Sequence, residues 1–336
     1  MVTMSDVAER AGVSAKTVSR VMSGFQHVSP RTKERVHSAM RSLGYQPSMA
    51  IEARQWVSSG IGILYSDAGG GYQSRVNQSL LKACHDTQRY LVAEFFDESS
   101  ANWREQMDGF LSRTSVRNLI LLPPMCDSVE LHAELDSRGV NYVLVSPSRL
   151  VPGATSIAMD DRLAAERMTA YLLDLGHEKI GYIGGKQGHI VSLLRQQGYE
   201  EALRKGGIVC ISEYIVAGDF SFASGLKSAE KLLSLPDRPT AIFAANDEMA
   251  AAVVMTASRM QVKVPEDISV VGFDNTSIAE TIWPALTTIA QPFDALALSA
   301  LEALQALPLE SSDVSQTRVL DFNLIVRGSC ARPPEG

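Results

Sequence analysis

Cysteine is scarce in this 336-residue chain, and the four present, Cys84, Cys126, Cys210 and Cys330, are widely separated. They form no CxxC pair and no metal-binding spacing with the six histidines, which excludes a disulfide scaffold and a structural zinc site. Free thiols are therefore expected. No apolar stretch of 18 residues is free of charge, and the N-terminus lacks the basic, apolar, small-residue order of a secretory signal. The expectation is a cytoplasmic protein with no membrane partner. Catalytic signatures are missing as well. There is no GxSxG and no HExxH, and the glycines of GYIGGKQG are not followed by the Lys-Ser/Thr pair that completes a phosphate loop. His177 and His189 stand alone and read as surface or capping groups. Neither enzymatic chemistry nor a cofactor or metal ion is expected.

Positive charge is also in deficit, with a formal net charge of -7. Taken alone, that argues against a nucleic-acid partner. The distribution says otherwise: residues 1–60 carry eight basic and four acidic side chains, so the remainder of the chain carries a net charge of -11. A basic head is drawn to phosphates by counterion release, and an acidic body discourages nonspecific wrapping.

That head has the pattern of a helix-turn-helix. Thr3 and Asp6 have capping-box spacing, Val7, Ala8 and Ala11 supply an apolar stripe, and Gly12 ends the first helix. Ser14 opens a second helix in which Val18 and Val21 face inward. Ala15, Lys16, Thr17, Ser19 and Arg20 then lie toward the end or outer face that a recognition helix presents to the major groove. Lys16 and Arg20 suit guanine O6 and N7, Ala15 suits a thymine methyl, and Ser14, Thr17, Ser19 and Ser29 suit phosphates. Ser14 and Ser29 serve equally well as helix caps. Ser29-Pro30 starts a third helix, which Val36, Met40 and Leu43 pack and Gly44 stops.

From Ile61 onward, short apolar runs alternate with helical patterns, the mark of parallel βαβ units. Strands are expected at 61–67, 90–96, 118–124, 142–147, 179–185, 213–219, 240–247 and 268–274. They fall into two doubly wound lobes, roughly 61–160 and 161–290, with LTTIAQP (286–292) as a crossover and RVLDFNLIVRG (318–328) as closing strands. The expected fold is therefore α/β, with an all-α head on residues 1–47, a linker on 48–60, a two-lobed core on 61–330 and a tail on 331–336. Ligands of open parallel sheets bind beyond the carboxyl ends of the strands, so two facing lobes define a small-molecule cleft.

The segments DVAERAGVSAKTVSRVMSG, VSPRTKERV, LGYQP, DDRLAAERMTAYLLDLGHEKIGYIGG, RPTAIFAANDEMAAAVV, VPEDISVVGFDNTSIAETIWPALTTIAQP and LIVRGS together resemble the lactose/galactose/purine repressor family of bacterial transcription regulators. The resemblance implies a core like that of periplasmic sugar-binding proteins and a homodimer on a palindromic double-stranded DNA operator. It also implies a linker helix docked in the minor groove and an effector, a saccharide or glycoside, in the cleft. A corepressor-dependent regulator answering a non-sugar metabolite, or a sugar-binding transport protein, is the alternative reading. In the linker, the family's wedging leucine position falls on Arg54. Either Arg54 reads a narrowed minor groove, or Trp56 or Ile51 supplies the wedge.

For the effector, the resemblance assigns Arg195 to forked contact with hydroxyls, Phe220 to packing on a ring, and Asn246 and Asp274 to vicinal hydroxyls. Asp247, beside Asn246 at the same strand end, either joins them or caps the following helix. Gln291 reaches in from the crossover, and Ser66, Asp67 and Tyr72 follow the first core strand beside the glycines 69–71. Ser146 stands where several members carry aspartate, and Asp160 is a secondary candidate.

Overall fold

The computed structural model describes residues 3–22, 28–45, 60–66, 70–306 and 316–334. In the head, α1 (Met4–Ala11), α2 (Ala15–Met22) and α3 (Pro30–Leu43) enclose a small core of Val7, Ala8, Ala11, Val18, Val21, Met22, Val36 and Ala39. The capping box forms in both directions: the Thr3 N–H donates to Asp6 at 2.7 Å, and the Asp6 N–H donates to Thr3 Oγ1 at 3.3 Å. Gly12 and Gly44 both end their helices in the left-handed conformation. Arg35 on α3 donates to the carbonyl oxygens of Ala11 and Gly12, which α1 leaves without helical partners. One of the eight basic side chains of residues 1–60 thus serves the fold.

The core consists of two six-stranded sheets with helices on both faces. The N-terminal lobe has strand order β11-β5-β4-β3-β1-β2 and the C-terminal lobe β12-β10-β9-β8-β6-β7. The first set is β1 (Gly60–Tyr65), β2 (Tyr90–Phe95), β3 (Asn118–Leu121), β4 (Asn141–Val145), β5 (Thr155–Met159) and β11 (Gln316–Leu320), all parallel. The second is β6 (Ile180–Ile183), β7 (Ile215–Val216), β8 (Ala241–Ala244), β9 (Ser269–Asp274), β10 (Thr287–Ala290) and β12 (Asn323–Ile325), with β12 alone antiparallel. Strands such as AIFA are buried along their whole length, as a sheet covered on both faces requires.

Two of the expected elements are corrected and one strand is added. The strand at 213–219 shrinks to two residues at a sheet edge, because Ser212–Tyr214 coil into a short 3-10 turn. TSIAM, whose Thr and Ser mask its pattern, is the unanticipated β5. LTTIAQP is itself a strand, β10, and the crossover begins only at its end.

The chain passes between lobes three times: after β5, after β10 and between β11 and β12. After β10 it enters α12 (Phe293–Ala306), whose Phe293, Leu296, Ala297, Ala300 and Leu301 pack in the N-terminal lobe core. The remaining helices are α4 (Gly71–Asp86), α5 (Trp103–Thr114), α6 (Val129–Ser137), α7 (Asp161–Asp174), α8 (Ile190–Lys205), α9 (Phe222–Leu233), α10 (Asp247–Arg259) and α11 (Ser277–Thr281). Helices α7 and α8 pack closely because residue 198 is glycine: a Cβ there would overlap the Arg162 carbonyl oxygen and lie 2.8 Å from the Glu166 nitrogen.

Candidate functional site

Between the lobes lies a cleft of about 340 Å³. Strand ends and helix starts from both lobes line it, as the topology requires. Its inner end is built on α7 and α8. Along α7 the buried stripe is Asp161, Ala164, Ala165, Met168 and Leu172, and along α8 it is Arg195, Gly198, Tyr199, Ala202 and Leu203. The close approach at Gly198 lets the two charged members meet: Arg195 Nε donates to Asp161 Oδ1 at 2.8 Å. Arg195 Nη1 donates to the Ala245 carbonyl at 2.6 Å and lies 3.6 Å from Asp274 Oδ1. Its guanidinium sits 3.6 Å from the Phe273 ring centroid, with Phe220 on the cleft side at 5.8 Å. The residue is only 4% exposed. Burial pulls its pKa down, but Asp161 and Asp274 outweigh that and raise it above the ordinary arginine value.

The carboxylates are perturbed in the other sense. Burial pushes Asp274 up to about 7, against the pull of Arg195 and the Gln291 hydrogen bond, with Asp247 adding repulsion. Asp247 is pushed up to about 6 by burial, which its Thr288 and Thr276 hydrogen bonds only partly offset. Burial raises Asp161 too, against the pull of Arg195. Gln291, at the crossover, donates to Asp274 at 2.6 Å. Asp274 also has φ 109°, Phe220 φ 72° and Ser146 φ 49°. All three line the cleft, so backbone strain collects where these side chains must be aimed.

Of the residues read from the sequence, Ser66, Tyr72, Ser146, Arg195, Phe220, Asn246, Asp274 and Gln291 line this one cleft. Asp67 lies outside the described residues, as do Arg54, Ile51 and Trp56. Asp160 is corrected: its carboxylate caps α7 by accepting from the Leu163 N–H at 2.9 Å, and the cleft residue is its neighbour Asp161. The signal was available, since Asp161 falls on the buried stripe of its helix and Asp160 precedes the helix. Asn246 lines the cleft as expected, but it and not Asp247 is the cap. Asn246 is the cap of α10, accepting from the Met249 N–H at 3.0 Å, and its amide donates to the Phe220 carbonyl at 2.8 Å. Asp247 is fully buried and accepts from Thr276 and Thr288, tying the start of α10 to the loop after β9 and to β10.

Sequence reasoning passed over Glu248 and Lys186, which line the cleft, and read His189, which lines it at the N-terminus of α8, as a surface or capping group. The His189 ring centroid is 6.2 Å from that of Phe220. No periodicity marks these three, because they sit on a loop or at helix starts. His177, by contrast, is buried, bonding Thr240 at 2.9 Å and the Ala331 carbonyl at 2.9 Å, and so ties the C-terminal segment to the lobe.

On the head, Ala15, Lys16, Ser19 and Arg20 are exposed on α2. Ser14 and Thr17 are bonded to each other at 2.9 Å, and Ser29 accepts from the Thr32 N–H at 3.2 Å. Both serines thus cap, Ser14 by also accepting from the Thr17 N–H at 3.1 Å.

The pattern described as bacterial regulatory proteins, lacI family, matches residues 3–48, and a periplasmic binding protein-like domain matches residues 169–330. The HTH-type transcriptional repressor CytR of Escherichia coli (strain K12) is 33% identical over 350 residues, covering 99% of this chain and 97% of that protein. The chain belongs to the LacI family. As a LacI-family protein it is a DNA-binding transcriptional repressor. Its fold matches the lac repressor dimer bound to operator and the anti-inducer ONPF, with TM-score 0.71, 28% identity, and coverage of 98% of this chain and 99% of that one. It also matches the transcriptional regulator CelR–cellobiose complex, with TM-score 0.70, 28% identity, and coverage of 98% of this chain and 100% of that one. Among the described residues, no helix is long and apolar enough to cross a membrane.

Proposed function

We propose that this repressor binds a palindromic operator as a homodimer and is switched by a neutral saccharide or glycoside held in the interlobe cleft. The observation that carries the ligand reading is the Arg195–Asp274–Gln291 array, with Phe220 beside it. Arg195 has Nε and Nη1 engaged within the protein, leaving Nη2 for a ligand oxygen. Asp274 and Gln291 provide acceptor and donor for vicinal hydroxyls, and an aromatic face packs against the apolar side of a sugar ring. A saccharide in a related regulator, the CelR–cellobiose complex, supports the same class of effector.

On the DNA side, Lys16 and Arg20 are the base-reading candidates, Ala15 the apolar contact, and Ser14, Thr17, Ser19 and Ser29 the phosphate contacts. The dimer is supported by a largely apolar groove on the C-terminal lobe, where Val254, Met255, Ile278, Ile282 and Trp283 lie beside Arg259. Trp283 is 89% exposed and Met255 48% exposed, a cost that a second copy of the chain relieves. A ligand spanning both lobes favours one lobe arrangement, and the paired N-terminal lobes transmit that choice to the heads.

The test is operator binding at fixed salt, measured by fluorescence anisotropy against a panel of mono- and disaccharides. A hundredfold change with one sugar corresponds to a coupling of about 2.7 kcal/mol, and the operator must then change the affinity for that sugar by the same factor. Operator binding that no saccharide alters would remove the sugar from the proposal.

A further inference from the structure

The N-terminus of α4, in the N-terminal lobe, reaches across the cleft. The Gly71 N–H donates to Glu248 Oε1 at 3.3 Å, and Glu248 belongs to the first turn of α10 in the C-terminal lobe. The N-cap of α4 is Gly70, which has no side chain with which to cap. Glu248 therefore supplies, from the opposite lobe, the acceptor and negative charge that a helix N-terminus favours. A second feature is steric. A Cβ on residue 71 would lie 2.8 Å from both Cβ and Cγ2 of Thr276. Thr276 is buried and pinned to Asp247 through its N–H at 2.7 Å and its Oγ1 at 3.2 Å, so it has no room to yield. Glycine at 71 is what allows the lobes to approach this closely here. Both features depend on the present lobe arrangement, since widening the gap by about 1 Å takes a 3.3 Å hydrogen bond beyond bonding range.

We propose that Gly71 and Glu248 form an interlobe latch that favours the lobe arrangement in which they touch and thereby sets the operator affinity of the repressor before effector binds. The latch rests on the reading above that lobe geometry governs DNA affinity. A glutamate that only contacted ligand would leave operator binding unchanged when no ligand is present. The latch acts in that state, because it contributes free energy to one of two lobe arrangements before any effector arrives.

The experiment uses the full-length protein without any sugar and compares Glu248→Ala, Gly71→Ala and the double variant. Operator affinity is read by fluorescence anisotropy at fixed salt, and lobe opening by hydrogen exchange over residues 70–74 and 275–277. Each single variant is expected to shift operator affinity in the same direction by roughly threefold to tenfold, the range of one helix cap. The double variant is expected to shift it by less than the product of the two, because both changes undo the same contact. Exchange should rise at 275–277 as well as at 70–74. Rising exchange at 275–277 is not a trivial result of deleting the carboxylate, since the Thr276 N–H is held by Asp247. Unchanged exchange at 275–277 in both single variants would overturn the latch itself. Raised exchange with unchanged operator affinity would overturn the link between lobe geometry and DNA binding on which the proposal rests. Opposite shifts in the two single variants would mean local damage and would likewise overturn it.

Discussion

Arg195 and Asp161 form a 2.8 Å pair between two helices that touch because Gly198 lets them, and almost no water reaches either side chain. The pair is at once the floor of the cleft and a joint of the C-terminal lobe. A buried ion pair that loses one partner leaves the other charge uncompensated. Arg195→Ala is therefore expected to cost about 3–5 kcal/mol of stability, besides any loss of ligand binding. Denaturant unfolding measures this directly, and a variant as stable as the wild type would show that the pair does not brace the fold.

The raised Asp274 group gives stability a pH dependence with an unusual sign. Its proton is held more tightly in the folded protein, at about 7, than in the unfolded chain, near 3.8. Between those values the folded state binds more protons, so this group's contribution to stability is present at low pH and is lost as pH rises toward 7. Asp274→Asn cannot lose that proton. The stability difference, variant minus wild type, should thus grow in the variant's favour from pH 4 to pH 7, as read by urea unfolding at each pH. A flat difference would place the proton elsewhere in the cluster.

A sugar hydroxyl donating to Asp274 favours its charged form and should expel that proton on binding. Calorimetry near pH 6.5 in buffers of different ionisation enthalpy is expected to show net proton release for the wild type and none for Asp274→Asn.

Two basic residues of the head should separate cleanly. Lys16 is exposed on the outer face of α2, and Lys16→Ala should weaken operator binding by about 1–3 kcal/mol while leaving the unfolding of the head unchanged. Arg35 closes the end of α1, and Arg35→Ala should lower the stability of the head by about 1.5–3 kcal/mol, the worth of hydrogen bonds from a charged donor. Thermal unfolding and anisotropy on the same samples distinguish the two roles.

Trp283→Arg should shift the protein toward monomer in sedimentation velocity by removing an exposed aromatic ring and adding a second positive charge beside Arg259 in the groove that holds Met255 and Ile282. Because operator half-sites are bound jointly, operator affinity should fall as the monomer fraction rises.

Local signals are what the chain states outright. The Thr3–Asp6 box, the left-handed Gly12 and Gly44, the Val18–Val21 stripe and the alternation of apolar runs with helical patterns are set within a few residues by capping, backbone sterics and periodicity, so the head and the two-lobed α/β core are readable without coordinates. The strand end that carries Asp274 is equally local, whereas Phe220 and Gln291 are marked by the resemblance to the family. Only the tertiary structure decided that Asp161 meets Arg195 beneath the cleft, that Asp247 holds Thr276 and Thr288, that Arg35 serves the fold, and that Glu248 meets Gly71 at a separation of 177 residues. Each of these depends on the approach of elements distant in sequence. That approach is set by packing at contacts such as Gly198 on Arg162 and Gly71 on Thr276, whose effect appears only once both surfaces are in place.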